Sequence, residues 1–198
     1  NDTTWVAEPT AALQKADTVP PPAGNIPTDR ELFVGRSEEF SGLVEHLRDG
    51  RRLVTLVGTG GAGKTRLSRR VANHFSTQFS GGAWFVDLSD ITDEDGIIRA
   101  VAQSMSIQLP LDGEVDTTGF LAEQINARGR LLIVLDNFEQ VVAHAVSTVG
   151  RWLSAAPSAQ FLVTTREALS LPSEVRVPLH PLSQDEAIEL LQALAKGR

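Results

Sequence analysis

Hydrophobic positions along this chain alternate between a helical period and a strand period. Phe40, Leu43, Val44 and Leu47 fall at i, i+3, i+4 and i+7, which predicts an amphipathic helix ended by Asp49-Gly50. Arg52-Leu-Val-Thr-Leu-Val57 is β-branched and apolar and reads as a buried strand. Leu67, Val71, Ala72 and Phe75 return to helical spacing, in a helix that closes near Ser80-Gly-Gly82. Ala83-Trp-Phe-Val-Asp-Leu88 predicts a second strand, and Ile97, Ile98, Val101, Ala102 and Met105 another helix. Residues 110–119 read as a polar, acidic loop leading to a short helix with Phe120, Leu121 and Ile125. Leu131-Leu-Ile-Val-Leu135 is an unbroken apolar run ending in Asp136, the pattern of a central parallel strand covered on both faces. Val141, Val142, Ala145, Val149, Trp152 and Leu153 predict a helix, Phe161-Leu-Val-Thr-Thr165 a fourth strand, and Glu174-Val-Arg-Val177 a shorter fifth. Ser183-Gln-Asp-Glu186 is a capping box for a last helix carrying Ala187, Ile188, Leu190, Leu191 and Leu194.

Strands that alternate with helices predict an α/β fold of three layers around a mostly parallel five-stranded sheet. Ligands in such folds sit at the carboxyl ends of the strands. Residues 1–30 lack periodicity and carry Pro9, Pro20, Pro21, Pro22 and Pro27, the composition of a flexible linker, so the domain itself is expected over 31–198. A chain that opens on Asn1 and stops at Arg198 reads as a piece of a larger protein.

Composition narrows the function classes. With 41% hydrophobic and 22% charged residues, the 198-residue chain has the make-up of a soluble globular domain. A net charge of −7 argues against direct nucleic-acid binding. There is no cysteine, hence neither a disulfide framework nor a thiolate metal site, and the four histidines (His46, His74, His144, His180) are scattered. No apolar run is long enough to span a membrane and no signal peptide is visible, so a cytoplasmic setting is expected.

The decisive motif is Gly58-Thr59-Gly60-Gly61-Ala62-Gly63-Lys64-Thr65, which fits the phosphate-binding pattern G-x-x-x-x-G-K-[ST]. Its glycines let the backbone turn tightly and gather N–H groups at a helix N-terminus, where the dipole favours phosphate. Lys64 is then a mobile charge for the β- and γ-phosphates, and the Thr65 hydroxyl a ligand for Mg²⁺. Arg66 follows as a further nucleotide-contact candidate. The motif stands between a predicted strand and a predicted helix, as this chemistry requires.

Two more groups lie just past predicted strands. Asp136 is placed as a Mg²⁺-holding acid. Its neighbour Asn137 can orient a water but cannot take its proton; Glu139, close by, can do so, or can simply stabilise a helix start. Arg166 either touches the γ-phosphate or pairs with a surface acid such as Glu167. Slow hydrolysis is expected.

Phe33-Val34-Gly35-Arg36, GTGGAGKTRL at Gly58–Leu67, LLIVLDNFEQV at Leu131–Val141, FLVTTRE at Phe161–Glu167 and a PL-x-x-x-EA-x-x-LL run from Pro181 to Leu191 occur in one order. Over residues from about 30 to 192 this set resembles the nucleotide-binding domain of STAND-class ATPases of the NB-ARC kind, in the bacterial group attached to LuxR-like and SARP-like regulators. The resemblance implies that Val34, Gly35 and Arg36 lie against adenine and ribose, that the loop cradles the phosphates of ATP or ADP, and that Asp136 holds Mg²⁺. It also implies that Arg166 senses the γ-phosphate, and that the fourth strand lies between the P-loop strand and the Asp136 strand, for a sheet order of 5-1-4-3-2. The chain departs from the family where Asn137 replaces the second acid of many relatives.

Three functions follow. The first is a switch in which ADP and ATP favour different states of a larger regulatory protein, with other domains and ATP-dependent homo-oligomers as partners. The second is a nucleotide-binding scaffold without turnover. The third is a P-loop kinase, disfavoured because residues 87–116 are acidic rather than arginine-rich. The guanine-selective N-K-x-D is missing, which favours ATP over GTP.

Overall fold

The structure, a computed structural model, describes residues 24–26, 35–110 and 115–182, with Ile188 and Gln192 beyond them. Helix α1 (Ser37–Arg48) precedes strand β1 (Leu53–Val57), α2 (Lys64–Phe75), β2 (Ala83–Asp87), α3 (Glu94–Ser104), α4 (Thr117–Ala127), β3 (Leu131–Asp136), α5 (Arg151–Ala155), β4 (Ala159–Thr165) and β5 (Glu174–Pro178). The strands form one sheet in the order β2-β3-β4-β1-β5, with every pairing between them parallel. This is the expected order read from the opposite edge, and β4 does lie between β1 and β3.

Side chains alternate across the strands, so each feeds two cores. Leu131, Ile133 and Leu135 of β3 and Phe161 and Val163 of β4 face a core completed by α3, α4 and α5. Leu132, Val134 and Leu162 face the other, completed by Leu43 and Leu47 of α1 and Leu67, Val71 and Phe75 of α2. Cover on both faces is why β3 reads as an uninterrupted apolar run. Trp152 stacks on Phe161 at 6.2 Å between ring centres and fixes α5 against β4.

The edge strand β2 is not bare. Asn25 uses its side-chain amide as a surrogate peptide: its Nδ2 donates to Phe85 O at 2.9 Å, and its Oδ1 accepts from Phe85 N at 2.6 Å. Gly24 forms a parallel bridge with Ala83, so this short stretch covers the edge groups that would otherwise be open.

Two expectations are corrected. The helix expected across Val141–Leu153 is broken into a 3₁₀ turn at Val142–His144, a π turn at Val146–Gly150, and α5, with another 3₁₀ turn at Phe138–Gln140 just before it. Ser147 and Thr148 donate to His144 O, competing with the regular ladder, and Gly150 N reaches back to Ala145 O in the π spacing. The apolar period survives because Ala145, Val149 and Trp152 still point inward. The expected loop also ends early: Asp116 caps α4 by accepting from Gly119 N at 3.1 Å, so the helix begins at Thr117. Of the last expected helix only Ile188 and Gln192 are described, both helical; its capping box lies outside the described residues, as do Phe33 and Val34.

Candidate functional site

The carboxyl ends of β1, β3 and β4 meet at the glycine loop. β1 hands the chain to Gly58, whose N–H donates to Thr165 O of β4 at 3.1 Å. Leu179, just past β5, closes on the other side by donating its N–H to Val57 O at 2.7 Å. Gly58 is required here: a Cβ would sit 2.4 Å from Leu179 O. Further on, Gly61 (φ +77°) and Gly63 (φ +90°) take left-handed backbone, and a Cβ on either would enter open space. Thr59, Gly60, Gly61 and Gly63 are exposed, while Ala62 and Lys64 are buried.

The loop ends as the N-terminus of α2, which has no side-chain cap and no acid in its first turn. Its N–H groups and positive dipole end therefore meet no side-chain cap or first-turn acid, the arrangement that takes an anion. Lys64 Nζ folds back onto Gly58 O at 2.8 Å and Thr59 O at 3.0 Å, so its charge lies within the loop. Arg66 is half-buried one turn into the helix.

Asp136 ends β3 almost wholly buried, at 1% exposure. Oδ2 accepts from Thr65 Oγ1 at 2.8 Å and Oδ1 from Thr164 Oγ1 at 2.6 Å, so the acid is bound to the glycine loop on one side and to β4 on the other. Burial pushes its carboxyl pKa above the ordinary value; the Thr164 and Thr65 hydroxyls oppose that, and the negative charge of Asp87 adds to it. Among the described residues no three His, Asp or Glu groups cluster as a metal cage. One buried carboxylate beside a threonine hydroxyl fits instead a hard cation that keeps its waters and takes phosphate oxygens.

Asn137 follows in left-handed backbone (φ 61°). Its N–H donates to Thr164 Oγ1 at 3.0 Å, and its Nδ2 to Asp87 Oδ1 at 3.0 Å and Asp136 Oδ2 at 3.3 Å. Asp87 is the β2 partner of Asp136 in register. Burial acts to raise the Asp87 pKa, but bonds from Asn137 and Ser89 outweigh it and hold the carboxyl below its usual value. Neither Asp87 nor Thr164 was singled out from the sequence. The available signal was positional, since each closes or nearly closes a strand of the same parallel sheet.

Glu139 and Arg166 come together. Arg166 Nε donates to Glu139 Oε1 at 3.1 Å, so the acid that holds this arginine is Glu139 rather than Glu167. The guanidinium lies over the loop, with Nη2 3.6 Å from where a Gly60 Cβ would be. Arg36 turns inward instead: in left-handed backbone after Gly35, it is 8% exposed and donates to Glu39 Oε1 at 2.7 Å, to Ala62 O at 3.4 Å and to His180 O. It thus ties the start of α1 to the loop and to the chain beyond β5. Beside it runs a cleft of about 700 Å³ bordered by Gly35, Arg36, Ser37, Pro178 and His180.

Comparison with known proteins supplies the rest. The NB-ARC domain family matches residues 36–197. An uncharacterized protein of Mycobacterium tuberculosis is 33% identical over 159 residues, 80% of this chain and 39% of its own length. Another protein of that organism, provisionally named an HTH-type transcriptional regulator, is 40% identical over 141 residues, 70% of this chain and 15% of its own. The chain thus spans about two fifths or less of the length of these relatives. Among solved structures, Cdc6p from Pyrobaculum aerophilum superposes with a TM-score of 0.66 at 18% identity, covering 87% of this chain and 52% of that one. A STAND protein with a tetratricopeptide-repeat sensor from Pyrococcus horikoshii does so at 0.57 and 24%, covering 84% and 26%. These two share the fold of this chain. With the family match running over most of its length, the chain belongs to the NB-ARC family of P-loop ATPase domains.

Proposed function

We propose that this chain is the nucleotide-binding core of a molecular switch, binding ATP and ADP with Mg²⁺ and hydrolysing ATP slowly inside a larger bacterial regulatory protein. The observation that carries this is the 2.8 Å bond from Thr65 Oγ1 to Asp136 Oδ2, which joins the phosphate loop to the strand-end acid. In this reading the N–H groups of Gly58 to Thr65 and the Lys64 ammonium receive the β- and γ-phosphates, with Thr59 to Gly63 forming the cradle and Arg66 at its edge. Thr65 and Asp136 hold Mg²⁺, which when bound neutralises charge on the phosphate oxygens. The cleft beside Gly35 and Arg36 takes adenine and ribose, with Arg36 shaping it through its backbone anchors. Arg166 leaves Glu139 to meet the γ-phosphate and so distinguishes ATP from ADP.

A switch needs different affinities for nucleotide in two states, and the domains that would supply them belong to the rest of the protein. The greater length of the relatives, one bearing a regulator's name, supports a regulatory setting with other domains as partners. ATP-dependent homo-oligomers and a cytoplasmic location complete the reading; among the described residues no helix is long and apolar enough to cross a membrane.

A second reading, a scaffold that binds nucleotide without turnover, is favoured by Asn137 in the place of a second acid and by Glu139 being engaged with Arg166. Titration of fluorescent ATP and ADP into the wild type and Lys64→Ala, with and without Mg²⁺, tests binding. Saturable binding lost in the variant is expected; equal binding by both proteins rejects the phosphate-loop assignment. Phosphate release from the bound ATP then separates switch from scaffold.

A further inference from the structure

Asn137 is held more firmly than a turn residue needs. Its backbone is left-handed, a conformation tolerated by asparagine at some cost. Its N–H is taken by Thr164 Oγ1, the same hydroxyl that donates to Asp136. Its amide nitrogen faces two carboxylate oxygens, Asp87 Oδ1 at 3.0 Å and Asp136 Oδ2 at 3.3 Å. An NH₂ suits two carboxylate acceptors, so Oδ1 is the other end of this amide. That Oδ1 has no partner among the described residues, and Asn137 is only half-buried. Asp136 Oδ2 also accepts from Thr65, so the amide stands next to the phosphate loop.

Asp87 is itself fixed. Ser89 N donates to its Oδ1 at 3.0 Å, and Leu88 N to Asp136 O at 2.9 Å, locking the end of β2 to the end of β3. The fold thus sets two carboxylates side by side across strands, a like-charge pairing that costs stability. Left-handed asparagine, paired acids and a shared hydroxyl converge on the loop end of the sheet, where such costs mark function.

We propose that Asp87 is a positioning residue: it holds the Asn137 amide so that Oδ1 accepts a hydrogen bond from the water that attacks ATP. The inference rests on the ATPase reading above. In the step, the water oxygen bonds to the γ-phosphorus as that phosphorus separates from the β–γ bridging oxygen, whose electron pair leaves with ADP. The water's protons end on inorganic phosphate and in solvent; Asn137 takes none, which is why turnover is slow.

The test is phosphate release under single-turnover conditions with Mg²⁺-ATP, beside the affinity for fluorescent ADP, for the 198-residue chain and its variants. Asp87→Ala lowers the hydrolysis rate about 10- to 100-fold with ADP affinity within about twofold. Asn137→Ala does the same, and the double variant is no slower than the slower single one, because Asp87 acts through Asn137. Asp87→Asn, whose side-chain oxygen still accepts from Asn137, retains most of the rate and serves also as the variant that keeps the fold. Additive losses in the double variant, a wild-type rate in Asp87→Ala, or Asp87→Asn as slow as Asp87→Ala each overturn the proposal, the last because it makes Asp87 the base. Wild type releasing no more phosphate than Lys64→Ala removes the ATPase reading itself and this inference with it.

Discussion

Thr164 Oγ1, on the strand between the phosphate-loop strand and the acid's own, donates to Asp136 Oδ1 at 2.6 Å and accepts from Asn137 N at 3.0 Å. One hydroxyl therefore satisfies a buried carboxylate and a strained backbone N–H together. Thr164→Val keeps the shape and removes both bonds. We expect it to cost about 2–4 kcal/mol, since each buried group left unpaired carries a penalty of its own. Urea unfolding measures this, and Thr164→Ser, which keeps the hydroxyl, should lose less than half as much.

Asp136 is costly where it stands. Its folded-state pKa lies above the unfolded value of 3.8, chiefly through burial, so the folded protein holds the proton more tightly. Its favourable contribution is present below the unfolded value and is lost as pH rises through the folded one. At neutral pH and without Mg²⁺ the ionised acid destabilises the fold. Asp136→Asn should therefore melt higher than the wild type near neutral pH, the gap closing as pH falls toward about 4. The same variant should lose the Mg²⁺ dependence of nucleotide binding. A gap that widens on acidification contradicts the assignment.

The fold was legible because its strongest signals were local and repeated. The run Leu131–Leu135 could only be a strand covered on both faces, and the glycine loop fixed both the strand before it and the helix after it. What period alone missed was competition at short range: Ser147 and Thr148 bonding back to His144 O broke a helix whose apolar spacing stayed correct. The meeting of the glycine loop with Asp136 through Thr65 was legible because each stands in a compact local motif. The site was not legible where a residue acts through a neighbour on another strand. Asp87 matters through its register with Asp136; the resemblance implied that the second and third strands are neighbours, but their register is not written in either segment. For Arg36 the sequence did not show the anchors of its guanidinium, Glu39, Ala62 O and His180 O, because they lie 3 to 144 residues away.

Two loop glycines should behave differently although both belong to the same motif. At Gly58 an added Cβ meets a backbone carbonyl, Leu179 O, at 2.4 Å, and relief requires β5 to move from β1. At Gly61 nothing lies within 4 Å, and the only cost is the left-handed backbone at φ +77°. Gly61→Ala should cost about 1–2 kcal/mol. Gly58→Ala should cost more, roughly 2–4 kcal/mol, in line with other substitutions that strain a packed backbone. Thermal unfolding of the two variants decides it; equal losses mean that β5 yields freely.

Arg166 and Glu139 form the pair through which nucleotide identity is expected to be read. The arginine side chain is 65% exposed, so the ion pair contributes little to stability, under about 1 kcal/mol. Glu139 presents one oxygen to Arg166, while its other, Oε2, is buried without a hydrogen-bond partner among the described residues. The exposure of the arginine makes the pair weak, which suits an arginine that must leave for the γ-phosphate. Arg166→Ala should leave the melting temperature almost unchanged and lower ATP affinity relative to ADP by roughly tenfold, about one charge-assisted hydrogen bond. Glu139→Gln should shift the ratio the other way, because the arginine no longer has a charged partner to give up. Competition of unlabelled ATP and ADP against fluorescent ADP in Mg²⁺ reads both ratios. If both variants keep the wild-type ratio, Arg166 does not sense the third phosphate and its bond to Glu139 is only a surface pair.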